Sequence, residues 1–123
     1  MRAIRSKGMK PELTVRKIVR SLGFGYRLHR KDLPGKPDLV FVGRRKAIFV
    51  HGCFWHQHYG CREGRLPGSN SAYWEPKLAR NVERDATNIE ALQAKGWRTL
   101  VIWECETFDL ATLALRIAAF VAE

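Results

Sequence analysis

Apolar residues recur at helical spacing in some stretches and run together in others, and the changes between the two mark the elements. Val15, Ile18, Val19 and Leu22 follow Pro11 at helical spacing, and Gly23 stands where that helix would stop. GYRLH (25–29) predicts a short edge strand, and DLPGKPD (32–38) a turn. LVFVG (39–43) and AIFVHG (47–52) are β-rich runs joined by the basic turn RRK, which together predict a central hairpin. After a Gly-, Pro- and Ser-containing loop (62–72), Pro76 opens a second helix with Leu78, Val82, Ile89 and Leu92 inward and Gly96 at its end. RTLVIWE (98–104) is a further strand. Asp109 caps a last helix with Leu113, Ile117, Phe120 and Val121 on its inner face. The order α-β-β-β-α-β-α puts helices around a small mixed sheet, an α/β or α+β domain. At 123 residues it is expected to be one domain, 1–123, with residues 1–10 a basic N-terminal arm.

One position breaks the pattern. Asp85 falls within the apolar stripe of the second helix. A buried carboxylate needs a cation or hydrogen-bond donors. Arg84 or Arg98 would serve as a structural partner; a functional site is the other reading.

Charge narrows the partners. Lys and Arg number 22 against 12 Asp and Glu, a formal +10, and so strong an excess favours a polyanion such as nucleic acid over a merely basic surface. No apolar run has the length of a membrane span, and the N-terminus lacks the apolar core of a signal peptide. A soluble cytoplasmic protein is expected. Three cysteines cannot all pair internally, so beside histidines they read as metal ligands.

The densest chemistry lies in HGCFWHQHYGC (51–61). Cys53, His58, Cys61 and Cys105 form a candidate tetrahedral zinc set, with His56 a rival to His58. The histidines outside that set suit proton transfer: His56 as a base acting on water, His51 as a contact to a phosphate or a water. Asp38, at the start of the hairpin, would lie near the 49–53 backbone and offer a hard cation an oxygen ligand beside a backbone carbonyl. Glu12, in the first turn of the first helix, complements the helix dipole, and participation in the site is the alternative. Phe54, Trp55 and Trp74 either stack on DNA bases or pack beneath the loop.

LPGKPDLVF, FVHGCFWHQH, YWEPKLARNVERD and GWRTLVIWEC resemble the motif blocks of the very short patch repair (Vsr) endonucleases across nearly the whole chain. The resemblance implies a restriction-endonuclease-like three-layer core, its mixed central sheet flanked by helices. It implies a monomeric, Mg²⁺-dependent DNA endonuclease that nicks double-stranded DNA 5′ to the thymine of a T·G mismatch, with mismatch-repair proteins as partners. Asp38 and the Val50 carbonyl would hold Mg²⁺, and His56 would be the base. Glu12, His51 and Asp85 would support them. Zn²⁺ would sit on Cys53, His58, Cys61 and Cys105. Phe54, Trp55 and Trp74 would intercalate, Met1 would approach from the opposite groove, and Lys77 and Asn81 would contact DNA. The Glu-x-Lys usual in restriction-type nucleases is replaced by FVH (49–51). The chain begins at the family's wedge methionine, has one extra residue before Cys61 and a short C-terminus, so a relaxed mismatch preference is expected. The competing readings are a related nuclease without a T·G requirement and a zinc-stabilised DNA-binding module without catalysis.

Overall fold

The computed structural model describes residues 9–54, 56, 58 and 71–123. Helix α1 (Met9–Ser21) leads to strands β1 (Arg27–Leu28), β2 (Leu39–Phe41) and β3 (Lys46–His51). Helix α2 (Ser71–Ala94), strand β4 (Arg98–Trp103) and helix α3 (Leu110–Ala122) follow. The strands form one sheet in the order β1-β2-β3-β4. The predicted hairpin is the antiparallel β2–β3 pair, whereas β3 and β4 run parallel. A parallel pair needs a long crossover, and α2 lies within it.

Alternation along β3 explains the three layers. Ile48 and Val50 face α1 and α3, packing with Val15, Val19, Ile102, Leu113, Ile117 and Val121. Ala47 and Phe49 face the other way, onto Leu92 of α2. Each fully buried Leu or Ile contributes about 1.5–3 kcal/mol. With a period of two, His51 belongs to the α2 face.

The buried Lys46 closes the far end of the sheet. Its Nζ donates to the carbonyls of Phe120, at 2.7 Å, and of Val121 and Glu123. A cation there complements the C-terminal dipole of α3.

Several sequence expectations need correction. Helix α2 starts at Ser71, not Pro76, so the proline lies inside it. The carbonyl left without a donor belongs to Ala72, which is exposed, so water can satisfy it. Val82 is 42% exposed, because the sheet packs under the C-terminal half of α2, at Ile89 and Leu92. Leu22 lies just beyond α1 and is 38% exposed. The connection at RRK is tight, as expected, but it begins earlier: a 3₁₀ turn spans Val42–Arg44, Arg45 closes it, and Lys46 already belongs to β3. Gly96, at φ +88°, ends α2 as foreseen, with the Trp97 N–H bonded to the Leu92 carbonyl at 3.1 Å. No helix among the described residues is long and apolar enough to cross a membrane.

Candidate active site and metal centres

The opening of the hairpin presents Asp38. Its backbone is bonded on both sides: the Asp38 N–H donates to Ile48 O at 3.0 Å, and the His29 N–H donates to Asp38 O at 3.2 Å. The Val50 N–H then donates to Asp38 Oδ2 at 2.7 Å. The carboxylate is thus held against the 49–53 backbone, as the turn-strand pattern predicted. Burial pushes its pKa up to about 6; the Val50 hydrogen bond opposes this and the charge of Glu12 adds to it.

Glu12 is buried on the first turn of α1, and His29 lies between the two acids. His29 Nε2 is 3.0 Å from Glu12 Oε2 and 3.8 Å from Asp38 Oδ1. The ligand atoms of Glu12, His29 and Asp38 all lie within 4.8 Å of one another. Two carboxylates and an imidazole at that spacing suit a divalent cation. Sequence reasoning missed His29. Its contribution comes from the end of an edge strand meeting the first turn of a distant helix, and no local spacing encodes that meeting.

Across the cavity stand two stacked imidazoles. His51 ends β3 and His56 follows in the loop, their ring centroids 3.8 Å apart and planes 6° from parallel. His56 Nδ1 is 2.5 Å from Asp85 Oδ2. The misplaced carboxylate of α2 therefore pairs with a histidine, while Arg98 pairs with Glu123 instead. Burial, reinforced by His56, pushes the His51 pKa down to about 4, so this imidazole is neutral at pH 7. Asp38, Val50, His51, His56 and Asp85 border one cavity of about 160 Å³, with Lys36 and Asn88 at its wall.

A second cluster begins two residues beyond β3. Cys53 Sγ lies 3.7 Å from His58 Nδ1, and Cys105 Sγ lies 3.4 Å from the same nitrogen. Sulfur and nitrogen on two vertices of a zinc tetrahedron lie about 3.6 Å apart, given bonds of roughly 2.3 and 2.1 Å. The spacing fits that ion. It also separates the two rival histidines, since His56 is engaged by Asp85. Cys61, the fourth expected ligand, lies outside the described residues. Trp103 joins the two clusters: it stacks on His58 at 4.2 Å and meets His51 edge-on at 5.2 Å.

Phe54 and Trp74 meet edge to face at 5.2 Å, both half-buried. Trp74 also meets the exposed Tyr73 at 5.0 Å, and Lys77 Nζ lies 5.6 Å from the centre of the Tyr73 ring. Asn81 is half-buried one turn further along α2. Trp55 and Met1 lie outside the described residues.

Residues 1–62 match the family model described as DNA mismatch endonuclease Vsr. The chain is 53% identical over 117 residues to the type II nicking enzyme V.XorIIP of Xanthomonas oryzae pv. oryzae, covering 95% of this chain and 85% of that one. It is 45% identical over 121 residues to the type II nicking enzyme V.NaeI of Lentzea aerocolonigenes, covering 94% and 71%. To the DNA mismatch endonuclease Vsr of Escherichia coli it is 40% identical over 105 residues, covering 85% and 67%. The four-stranded mixed sheet between helices is the restriction-endonuclease-like fold expected of such enzymes. This chain is accordingly a DNA endonuclease and belongs to the Vsr family.

Proposed function

We propose that this endonuclease nicks one strand of duplex DNA 5′ to the thymine of a T·G mismatch, using Mg²⁺ at Asp38. The observation that carries the reading is the cavity shared by Asp38 and the His56–Asp85 pair. It offers a cation ligand and a proton acceptor to one phosphodiester.

His56 is the base. Its Nδ1 is engaged by Asp85, which assigns the ring proton to that nitrogen and leaves Nε2 to accept a proton from the attacking water. Asp85 orients the ring and stabilises the imidazolium that forms. His51, neutral and stacked on His56, adds no competing charge.

The donor set suits a hard cation. Asp38 and Glu12 bring two carboxylates together, and the charge of Glu12 raises the pKa of Asp38. A cation at Asp38 and the Val50 carbonyl would relieve that repulsion. Mg²⁺ bound there supplies Lewis-acid polarisation of the phosphate and stabilises developing charge. Cys53, His58 and Cys105, with Cys61, are assigned to a structural Zn²⁺ that holds the loop to the end of β4.

Phe54, Trp55 and Trp74 are assigned to the base stack beside the mismatch, with Met1 opposite and Lys77 and Asn81 at the DNA surface. A T·G step is cheaper to distort than a matched one, so selectivity follows from deformation energy. The test is nicking of T·G, T·A and C·G duplexes side by side, with Mg²⁺ present and withheld. Rapid Mg²⁺-dependent nicking of the T·G strand alone supports the reading. Equal rates on all three duplexes favour a second reading, a nickase without a mismatch requirement, to which the names of V.XorIIP and V.NaeI lend weight.

A further inference from the structure

The cavity wall contains a lysine that none of the roles above uses. The turn before Asp38 is packed tightly. Gly35 has φ +78°, and a Cβ there would come within 2.9 Å of Asn88 Cβ and 3.0 Å of Phe49 Cε1. Pro37 is fully buried. Lys36 is fixed between them, its N–H donating to Leu33 O at 3.1 Å.

Lys36 has φ +49°. That region favours glycine, and a residue preceding proline is normally driven to extended backbone. Two other non-glycine residues among those described have positive φ, and both use their side chains: His29 pairs with Glu12, and Arg45 lies over Trp97. Among the described residues Lys36 has no ion-pair partner. Glycine would meet the demands of folding here at lower cost. A strained lysine with no ion-pair partner among the described residues, bordering the candidate cavity, points to a use for its charge.

We propose that Lys36 binds the reacting phosphate and supplies the fixed positive charge at this cavity. The other described ionisable residues bordering it are two carboxylates, Asp38 and Asp85, and two imidazoles, His51 and His56. Among the described residues that border the cavity, Lys36 is the one permanent cation a phosphodiester would meet. Chain topology allows the substitution: the second hairpin strand ends in FVH without a lysine, and Lys36, in the turn two residues before Asp38, borders the same cavity. The inference rests on the reading that a phosphodiester is hydrolysed here. The water oxygen bonds to phosphorus and its proton passes to His56. The P–O bond to the departing sugar oxygen breaks, and that oxygen takes a proton from solvent. Lys36 stays protonated throughout and stabilises charge on the non-bridging oxygens.

The test compares the unaltered protein with Lys36→Gly and Lys36→Arg. Lys36→Gly is expected to melt at the same or a higher temperature, because glycine adopts this φ freely. Its single-turnover nicking should fall by about 100-fold, the scale for losing one charge-stabilising donor. Lys36→Arg should recover most of that loss. The salt dependence of duplex binding, measured with Ca²⁺ in place of Mg²⁺, should flatten by about 0.9 in log–log slope for Lys36→Gly. A neutral methylphosphonate at the mapped nick position should abolish the difference in affinity between the two proteins. An unchanged salt slope, or undiminished nicking by Lys36→Gly, overturns the assignment while the hydrolytic reading stands. Absence of nicking by the unaltered protein on every duplex overturns that reading, and the role of Lys36 with it.

Discussion

His51 and His56 lie ring on ring, 3.8 Å between centroids and 6° from parallel. The buried ring stays neutral, its pKa pushed down to about 4, and the half-buried ring has a carboxylate at its Nδ1. In the proposed mechanism the stack divides the labour: His56 would move the proton and His51 would hold its ring in plane. Asp85→Asn should slow nicking by about 100-fold while leaving duplex affinity unchanged. The measurement is single-turnover nicking alongside a binding isotherm. Full activity in this variant would remove Asp85 from the reaction.

Asp38 and His51 make opposite contributions to pH-dependent stability. The Asp38 pKa lies at about 6 against an ordinary 3.8, chiefly through burial. Its folded form therefore holds a proton more tightly, and its contribution is complete below 3.8 and is lost as pH rises through 6. The His51 pKa lies at about 4 against 6.5, so its contribution is present above 6.5 and is lost as pH falls through 4. Asp38→Asn removes only the first of these. Without Mg²⁺ the variant should be more stable at pH 7.5 by about 1–3 kcal/mol, and the advantage should vanish near pH 4. Urea titrations at the two pH values measure this. An Asp38→Asn protein less stable at pH 7.5 would contradict the burial of that carboxylate.

Cys105→Ser should lose zinc and lower the melting temperature, since a structural ion contributes directly to folding. Metal analysis of the purified variant gives the first result and thermal unfolding the second. Stoichiometric zinc retained with an unchanged melting point would take Cys105 out of the ligand set.

Trp74→Ala should weaken T·G duplex binding by about 1–3 kcal/mol, the scale of a base–aromatic stack, and leave the unfolding midpoint nearly unmoved. A large stability loss with unchanged affinity would instead make the Phe54–Trp74 contact a small satellite core.

Much of this was legible in the sequence because burial imposes period. The β-rich runs LVFV and AIFVH, joined by a basic turn, marked the hairpin, and the misfit of Asp85 in its stripe marked the candidate site. The start of α2 was not legible, because Pro76 resembles a first turn. Spacing alone could not separate His56 from His58, since either gap wraps an ion; the Asp85 contact made the distinction. His29 was hidden because it meets Glu12 only through the packing of an edge strand on α1. Lys36 was hidden because strain in a turn leaves no mark in composition.

The pairing of His51 with Trp103, the last rung of the β3–β4 ladder, carries a consequence for safety. A slip of one residue would turn His51 to the opposite side of the sheet and carry Trp103 away from both its imidazole neighbours. The proposed hydrolytic cleft and the cysteine–histidine cluster would then fail together. A misassembled copy of this enzyme is thereby expected to be inert, and a cell harbouring it is spared an indiscriminate DNA cutter.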